Sequence, residues 1–213
     1  MDSMRVAKEY YSRMGSSLSE QVDEMQTQSE VAYLLKHITA DDVVLDVGCG
    51  YGRVAKALQS YSLSVCGCDV SEEMISAVND ERFIVASMCD LPYADNEFTV
   101  GICIWSAFNS LLTRSEQLQA LKELLRVCSD KVLIDLPDGD DFAHVWQRKT
   151  KGQGVDGHIV ENYFMGPKNI IYVHTRKTMI SLCEELGCSF TVERSEFGTR
   201  RRLLVWLTHE RSL

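Results

Sequence analysis

The sequence has few prolines, no long apolar run and too little positive charge to balance its acids. Three prolines among 213 residues leave little room for an extended linker, so residues 1–213 are expected to form a single domain. No apolar run reaches the roughly 18–20 residues that a membrane helix needs, and the N-terminus has no apolar signal region. We therefore expect a cytoplasmic protein with no membrane partner.

The shortage of positive charge also limits the expected partners. The net charge is −9 at pH 7, and the acidic excess lies in residues 1–140, whereas residues 141–213 are slightly basic. Broad nucleic-acid binding needs a cationic surface to neutralise phosphates. DNA is therefore not an expected partner, and the chain is expected to act as a monomer or a homodimer.

The eight cysteines show no metal-binding or disulfide pattern. Most lie within apolar strand or helix patterns, where cysteine behaves as a small apolar side chain. No pair has convincing metal-ligand spacing, and a disulfide framework is not expected in a chain of this length without a signal peptide. The sequence predicts reduced thiols and no bound metal.

Apolar strands alternate with amphipathic helices from about residue 40 onward. Such alternation predicts βαβ units and a mostly parallel sheet whose two faces are covered. Strand patterns lie at 43–47, 63–68, 83–86, 98–105, 131–136, 189–192 and 203–207. Residues 1–40 have helical spacing, and two further strand patterns, 158–164 and 169–174, are joined by a turn at 166–167.

The turn after the first strand carries most of the chemical information. It reads G-x-G-x-G from Gly48 to Gly52, with Asp46 two residues before the first glycine. A strand that ends in such a turn and opens a helix brings backbone N–H groups close to a ligand. The dinucleotide fingerprint G-x-G-x-x-G would require glycine at position 53, where this chain has Arg53.

A second acid, Asp69, ends the second strand. A carboxylate at the tip of this strand can accept both hydroxyl groups of a ribose. The alternative is an unrelated glycine turn with a solvated Asp69. The combination of strand, turn, helix, strand and acid favours a nucleoside ligand.

Residues 43–112 resemble the class I S-adenosylmethionine (SAM)-dependent methyltransferases. Residues 44–52 are similar to the first motif of that family, Asp69 to its ribose-binding acid, and residues 91–98 to its entry into the fourth strand. The resemblance implies a Rossmann-like three-layer α/β sandwich with a seven-stranded, mostly parallel sheet of order 3-2-1-4-5-7-6, the seventh strand antiparallel. It also implies that residues 1–40 form a helical lid and residues 138–174 an inserted substrate cap containing a β-hairpin.

The same resemblance implies a set of SAM-binding residues, with S-adenosylhomocysteine (SAH) as the product. They follow the first four strands and are Asp46, Gly48, Cys49, Gly50, Arg53, Asp69, Val70, Met74, Ser87, Met88, Cys89, Ile104, Trp105 and Asn109. Ser87 is a departure, since the family often has an aspartate there that receives the adenine amino group. Met88 is expected to lie against the adenine ring.

The acceptor is less well defined by the sequence. The Asn-Pro-Pro-Tyr motif of many base-amine methyltransferases is absent after the fourth strand, where residues 103–111 resemble small-molecule N- and O-methyltransferases. The predicted function is methyl transfer from SAM to a nitrogen or oxygen of a small molecule. An RNA or protein acceptor, or a SAM-binding protein without catalysis, remains an alternative.

A base for the acceptor is not evident from any motif. Tyr10 and Tyr11 in the N-terminal helix, and His144, His158 and His174 in the C-terminal region, are candidates. Cations at 148–151 and 200–202 either face an anionic acceptor or belong to solvated loops that balance the acidic part of the chain.

Overall fold

The computed structural model describes residues 3–14, 24–141, 158–160, 162–165, 170–197 and 200–209. The elements along the chain are α1 (Ser3–Met14), α2 (Glu24–Leu34), β1 (Val43–Val47), α3 (Arg53–Gln59), β2 (Ser64–Asp69), α4 (Glu72–Val78), β3 (Phe83–Val85), β4 (Phe98–Cys103), a 3₁₀ turn (Ala107–Ser110), α5 (Arg114–Val127), β5 (Cys128–Pro137), β6 (His158–Val160), β7 (Tyr163–Met165), β8 (Ile170–Tyr172), α6 (Arg176–Leu186), β9 (Ser189–Phe197) and β10 (Arg200–Thr208). None of the helices in these ranges has the length and hydropathy of a membrane span.

Seven of the strands form the main sheet, in the order β3-β2-β1-β4-β5-β10-β9. Strands β1 to β5 run parallel to one another, and β10 is antiparallel to both β5 and β9. Counted along the main sheet alone, β9 is the sixth strand and β10 the seventh, which gives 3-2-1-4-5-7-6. The predicted fold class and the antiparallel seventh strand are therefore confirmed.

The inserted segment differs from the predicted two-stranded hairpin. It contains a three-stranded antiparallel sheet in the order β6-β7-β8. The pattern at 158–164 is not one strand, because the chain reverses between Val160 and Tyr163, which pair with each other. Asn162 lies in this reversal, and asparagine is a frequent turn residue. The turn predicted at 166–167 lies outside the described residues.

Apolar side chains of the main sheet are buried on both of its faces, which gives three layers. On β1, Val44 packs in a cluster with residues of α2 and α3, while its neighbour Leu45 packs in a cluster with residues of α5 and α6. This alternation follows from the two-residue repeat of a strand. Because β1, β2 and β4 are parallel, their carboxyl ends lie at the same edge of the sheet, where the glycine turn contacts Asp69.

Candidate active site

The glycine turn after β1 is fixed to the neighbouring strand by its backbone. The N–H groups of Gly48 and Cys49 both donate to the carbonyl oxygen of Cys68, at 2.7 and 3.0 Å. Gly48 has a φ of 74°, and a Cβ added to it would lie 2.3 Å from the Cβ of Ala107. Glycine is therefore required at position 48 for two reasons, the left-handed backbone and the close approach of the 3₁₀ turn.

The Asp69 carboxylate lies at the end of β2 and faces the glycine turn. Its Oδ2 accepts the N–H of Gly50 at 3.0 Å, and its Oδ1 accepts the N–H of Ser71 at 2.9 Å. Burial raises the pKa of Asp69, while the backbone N–H groups oppose that rise. Each carboxylate oxygen has a further lone pair, so Asp69 can accept hydrogen bonds from a ligand as well.

These elements enclose a cavity of about 460 Å³, a size typical of small-ligand sites. The predicted residues that line it are Asp46, Gly48, Cys49, Gly50, Arg53, Asp69, Val70, Met74, Ser87, Met88, Cys89, Ile104 and Trp105. Asn109 does not line it: its side chain is buried, and Nδ2 donates to the carbonyl oxygen of Tyr172 at 2.6 Å. Asn109 thereby connects the 3₁₀ turn to the small sheet.

Ser87 takes part in a local turn of the cavity wall. Its hydroxyl oxygen accepts the N–H of Cys89 at 3.2 Å, and its carbonyl oxygen accepts the N–H of Asp90 at 3.0 Å. This turn presents Ser87, Met88 and Cys89 together on the cavity wall. The thiol of Cys89 stays protonated at neutral pH, because burial raises its pKa to about 11.

Other residues that line the cavity were not predicted from the sequence. They come from α1, from the glycine turn and the start of α3, and from the segment between the end of β3 and the first turn of α5, and are Ser3, Ala7, Tyr51, Val54, Ala86, Ala107, Ser110, Leu111 and Glu116. The helical spacing of residues 1–40 predicted α1, but no pattern in it indicates which side chains reach the cavity.

One contact fastens the start of α1 to the start of α5. The hydroxyl of Ser3 donates to Oε2 of Glu116 at 2.7 Å and accepts the N–H of Leu112 at 3.0 Å. Glu116 also closes the capping box of α5 with Thr113. Burial opposes ionisation of Glu116, but the hydrogen bonds from Ser3 and Thr113 outweigh it and lower its pKa. Glu116 is therefore an ionised carboxylate that accepts the hydrogen bonds of the α5 cap.

Two ionisable side chains, Asp46 of β1 and Arg53 of α3, lie at one end of the cavity. Asp46 is only 2% exposed, and burial raises its pKa to about 7; Asp69 and Glu30 add to the rise, whereas Arg53 opposes it. Arg53 is paired with Glu30 of α2, with Nη1 and Oε2 2.5 Å apart. The guanidinium of Arg53 also lies 5.3 Å from the centre of the Trp105 ring, within cation–π range.

The two tyrosines predicted as candidate bases, Tyr10 and Tyr11, differ in their position relative to the cavity. Tyr11 lines the cavity and its hydroxyl lies 3.4 Å from Oγ of Ser110, but burial raises its pKa to about 12. Tyr10 lies on a smaller pocket next to the cavity, and burial raises its pKa as well. A phenol with a raised pKa is protonated at neutral pH, which favours hydrogen-bond donation over proton abstraction.

No histidine is among the described residues that line the cavity. His174 is fully buried between Phe108 and Tyr172, with ring centroids 5.2 and 4.6 Å away, and burial lowers its pKa to about 3. Neither ring nitrogen has a hydrogen-bond partner among the described residues. His158 begins β6, and His144 lies outside the described residues.

Three described arginines of the C-terminal region are paired with acids of this chain, whereas the side chain of Arg200 lies outside the described residues. Arg202 is buried against Asp135, and Arg201 lies 3.5 Å from Asp141. Arg194 binds Asp138 and Asp140, both at 2.6 Å. These pairs favour the interpretation in which cations at this end balance acids over the one in which they face an anionic acceptor. The cations predicted at 148–151 lie outside the described residues.

Comparison with known proteins shows that part of the chain is similar to methyltransferases. Residues 44–131 match the family model described as "Methyltransferase domain". The chain is similar to the tRNA (carboxymethyluridine(34)-5-O)-methyltransferase of Arabidopsis thaliana, with 31% identity over 100 residues, which are 46% of this chain and 24% of that protein. It is also similar to the methyltransferase GfsG of Streptomyces halstedii, with 29% identity over 123 residues, 53% of this chain and 43% of that protein.

The fold is similar to a solved structure with a bound ligand. Magnesium protoporphyrin IX methyltransferase from Synechocystis PCC 6803, solved with SAH, superposes with a TM-score of 0.68 at 14% identity, covering 97% of this chain and 99% of that chain. In three curated relatives the matched segment covers 57%, 24% and 44% of the relative's own length. The chain thus spans between a quarter and three fifths of the length of those relatives.

Proposed function

We propose that this chain is a class I SAM-dependent methyltransferase that transfers a methyl group from SAM to a small-molecule acceptor, and the match of residues 44–131 to the family model described as "Methyltransferase domain" supports this proposal. The observation that carries this proposal is the placement of the glycine turn, Asp69 and the end of β4 around one cavity. The proposed acceptor atom is a nitrogen or an oxygen, and the proposed state is a monomer or a homodimer.

The wall of the cavity fits a nucleoside with an amino-acid arm. Asp69 has acceptor capacity for the two ribose hydroxyls, and Met88 and Val70 offer apolar surface to a base. At the other end, the Asp46 carboxylate suits an ammonium group and the Arg53 guanidinium a carboxylate. SAM, when bound, supplies a methyl group that is already activated on a positively charged sulfur.

The protein then has to align the acceptor with the methyl group and to exclude water from the site. Helix α1 contributes Ser3, Ala7 and Tyr11 to the wall, which supports its predicted role as a lid. The protonated Tyr11 hydroxyl can donate a hydrogen bond to an acceptor, and the Trp105 ring can face the cationic sulfur. Holding acceptor and methyl group in line within a dry site can account for a large part of the rate enhancement.

The surroundings of Tyr11 include a second and much smaller pocket. A smaller pocket adjoins the cavity there, because both are lined by Ala7, Tyr11 and Ser110. The other side chains of this pocket are Val6, Tyr10, Ile170 and Ile171. The volume of this pocket is only about 10 Å³, which is room for about one water molecule, so an acceptor would have to lie in the main cavity.

An RNA acceptor is the second candidate, because one relative with 31% identity is named as a tRNA methyltransferase. The two candidates are separated by incubating the protein with SAM that carries a radioactive methyl group and three acceptor pools: a metabolite extract, total RNA and total protein. We expect label in the metabolite pool, lost in Asp69→Ala and retained in Glu72→Ala, an exposed neighbouring acid. Label in RNA instead would contradict the small-molecule proposal, and tight SAH binding without label in any pool would contradict catalysis.

The raised pKa of Asp46 predicts that ligand binding depends on pH. An ammonium group pairs with Asp46 only when the carboxylate is ionised, so SAH affinity should rise as the pH increases through the pKa of about 7. Between pH 6 and 7.5, where an α-amino group remains largely charged, the expected rise is roughly five- to tenfold. Calorimetric titration in buffers of different ionisation enthalpy should show proton release on binding at pH 6.

Asp46→Asn is the control, since it should bind SAH more weakly at every pH and lose most of the pH dependence. The same raised pKa has the opposite effect on the ligand-free fold. The folded state holds this proton between about pH 4 and pH 7 while the unfolded state has lost it, so the stability contributed by Asp46 falls as pH rises through that window. An affinity that is flat from pH 6 to 7.5 would contradict a role for Asp46 in binding the ammonium group.

A further inference from the structure

The segment after β4 has a backbone conformation that its residues disfavour. Trp105 and Ser106 have φ values of 61° and 74°, so two consecutive residues other than glycine lie in the left-handed region. Such a pair persists only where the surrounding structure holds it, and strain of this kind clusters at functional sites. Trp105 lines the cavity, so the contacts that hold this turn also shape the cavity wall.

Asp135 on β5 holds the turn through its side-chain carboxylate and its backbone carbonyl group. Its Oδ2 accepts the backbone N–H of Trp105 at 2.9 Å, and its carbonyl oxygen accepts the N–H of Ser106 at 3.3 Å. The Asp135 side chain is fully buried. The turn is therefore fastened to the middle of the sheet by a buried carboxylate.

Arg202 on β10 fixes that carboxylate in place. Its Nε donates to Oδ1 of Asp135 at 2.6 Å and its Nη2 to Oδ2 at 2.7 Å, which is a bidentate pair. Nη2 also donates to Oγ of Ser106 at 3.2 Å, so Arg202 contacts the turn directly. Arg202 is only 3% exposed. A buried ion pair of this kind is weak evidence for stability, because removing both charges from water offsets their attraction. Its geometric effect on the turn is the stronger explanation.

The contacts continue from the turn to α2 on the other side of the cavity. The Arg53 guanidinium lies over the Trp105 ring, and Arg53 is paired with the buried Glu30. A displacement of Trp105 would therefore be transmitted to Arg53, which is itself part of the cavity wall.

We propose that Asp135 and Arg202, which do not themselves line the cavity, are positioning residues that fix the Trp105–Ser106 turn and thereby the wall against which ligand and acceptor are aligned. The identity of that ligand rests on the proposed function. The positioning of Trp105 does not, and it can be measured on the protein alone.

The test compares Arg202→Lys with Arg201→Lys, the neighbouring exposed arginine of the same strand. Lysine keeps the charge at position 202 but cannot make the bidentate pair and the Ser106 contact together. The protein is labelled with ¹⁵N-tryptophan, and the indole resonance of Trp105 is assigned by its absence in Trp105→Phe. We expect this resonance to shift and broaden in Arg202→Lys only, with SAH affinity about five- to tenfold weaker in that variant.

Ser106→Gly separates positioning from folding. Glycine relieves the left-handed strain and removes the hydroxyl that Arg202 binds, so the melting temperature should stay level or rise. Binding of SAH should nevertheless weaken by about threefold or more, with a broader Trp105 resonance, because the turn is less restrained.

An unchanged Trp105 resonance in both Arg202→Lys and Ser106→Gly would overturn the inference, even if Arg202→Lys melts at a lower temperature. If the unmodified protein fails to bind SAH, the proposed function fails, while the comparison of resonances still decides whether these residues position Trp105. A Trp105 resonance that changes equally in Arg201→Lys would also overturn the inference, since the effect would then be a general response to losing an arginine from β10.

Discussion

Replacing Asp69 by alanine is expected to weaken SAM and SAH binding by at least about 100-fold, since each of two charge-assisted hydrogen bonds contributes about 1.5–3 kcal/mol. The carboxylate lies on the cavity wall beside the glycine turn, and in the proposed site it accepts both ribose hydroxyls. Isothermal titration with SAH measures the loss directly. It is the measurement on which the cofactor assignment depends most.

Two variants make the Asp69 result interpretable. Asp69 also accepts the N–H groups of Gly50 and Ser71, so alanine frees these groups in addition to removing a ligand contact. Asp69→Asn keeps one acceptor oxygen and should bind with intermediate affinity. Glu72→Ala makes the same change in charge three residues further on, at an exposed position, and should bind normally. SAH binding to Asp69→Ala with unchanged affinity would contradict the proposed site.

Gly48→Ala is expected to have the second large effect, on both the fold and the site. The new Cβ would lie 2.3 Å from the Cβ of Ala107 at a backbone with φ of 74°, so the turn must move. Left-handed strain and overpacking together should lower the free energy of unfolding by about 2–5 kcal/mol. SAH binding should fall more than tenfold, because a shift of about 1 Å in a binding turn has effects of that size. Thermal melting and titration measure the two effects separately.

Matched variants separate backbone strain from steric overlap at Gly48. Gly187 has a similar φ of 72°, but an added Cβ there would meet no atom within 4 Å. Gly187→Ala should therefore show the strain alone, about 1–2 kcal/mol, with SAH binding unchanged. Combining Gly48→Ala with Ala107→Gly removes the overlapping methyl group and should restore most of the binding. Equal destabilisation by the two single alanines, with normal SAH binding, would show that the close approach to Ala107 has no role.

The sheet and the glycine turn could be predicted because their signals are local. The strand at 43–47, the glycines after it and Asp69 at the end of the next strand follow one another within about thirty residues of sequence. Their positions in a parallel sheet follow from the rule that consecutive strands of βαβ units end at the same edge. The predicted order of seven strands was confirmed for the same reason.

The rest of the site depends on contacts between distant residues, which leave no periodic pattern. Ser3 reaches Glu116, and Glu30 pairs with Arg53. In the sequence, Ser3, Glu30 and Glu116 are indistinguishable from ordinary polar positions of a helix. The sequence left Arg202 and its neighbours either facing an anionic acceptor or in solvated loops. In the structure Arg202 is buried, because it pairs with the buried Asp135 on the adjacent strand β5. The division of 158–164 into two strands also depends on a short turn, which the apolar pattern of this segment does not indicate.

The position of β10 has a consequence for the order in which the molecule assembles. The β9–β10 pair closes over a short connection, so this hairpin can form early, whereas pairing β10 with β5 closes a loop of about seventy residues and is entropically slower. Arg202 reaches Asp135 only when the hairpin has docked, and until then the left-handed turn at Trp105 lacks its restraint. Docking of the hairpin and completion of the cavity are therefore one event, and a ligand that binds only the completed cavity would favour the fully assembled sheet over every earlier state.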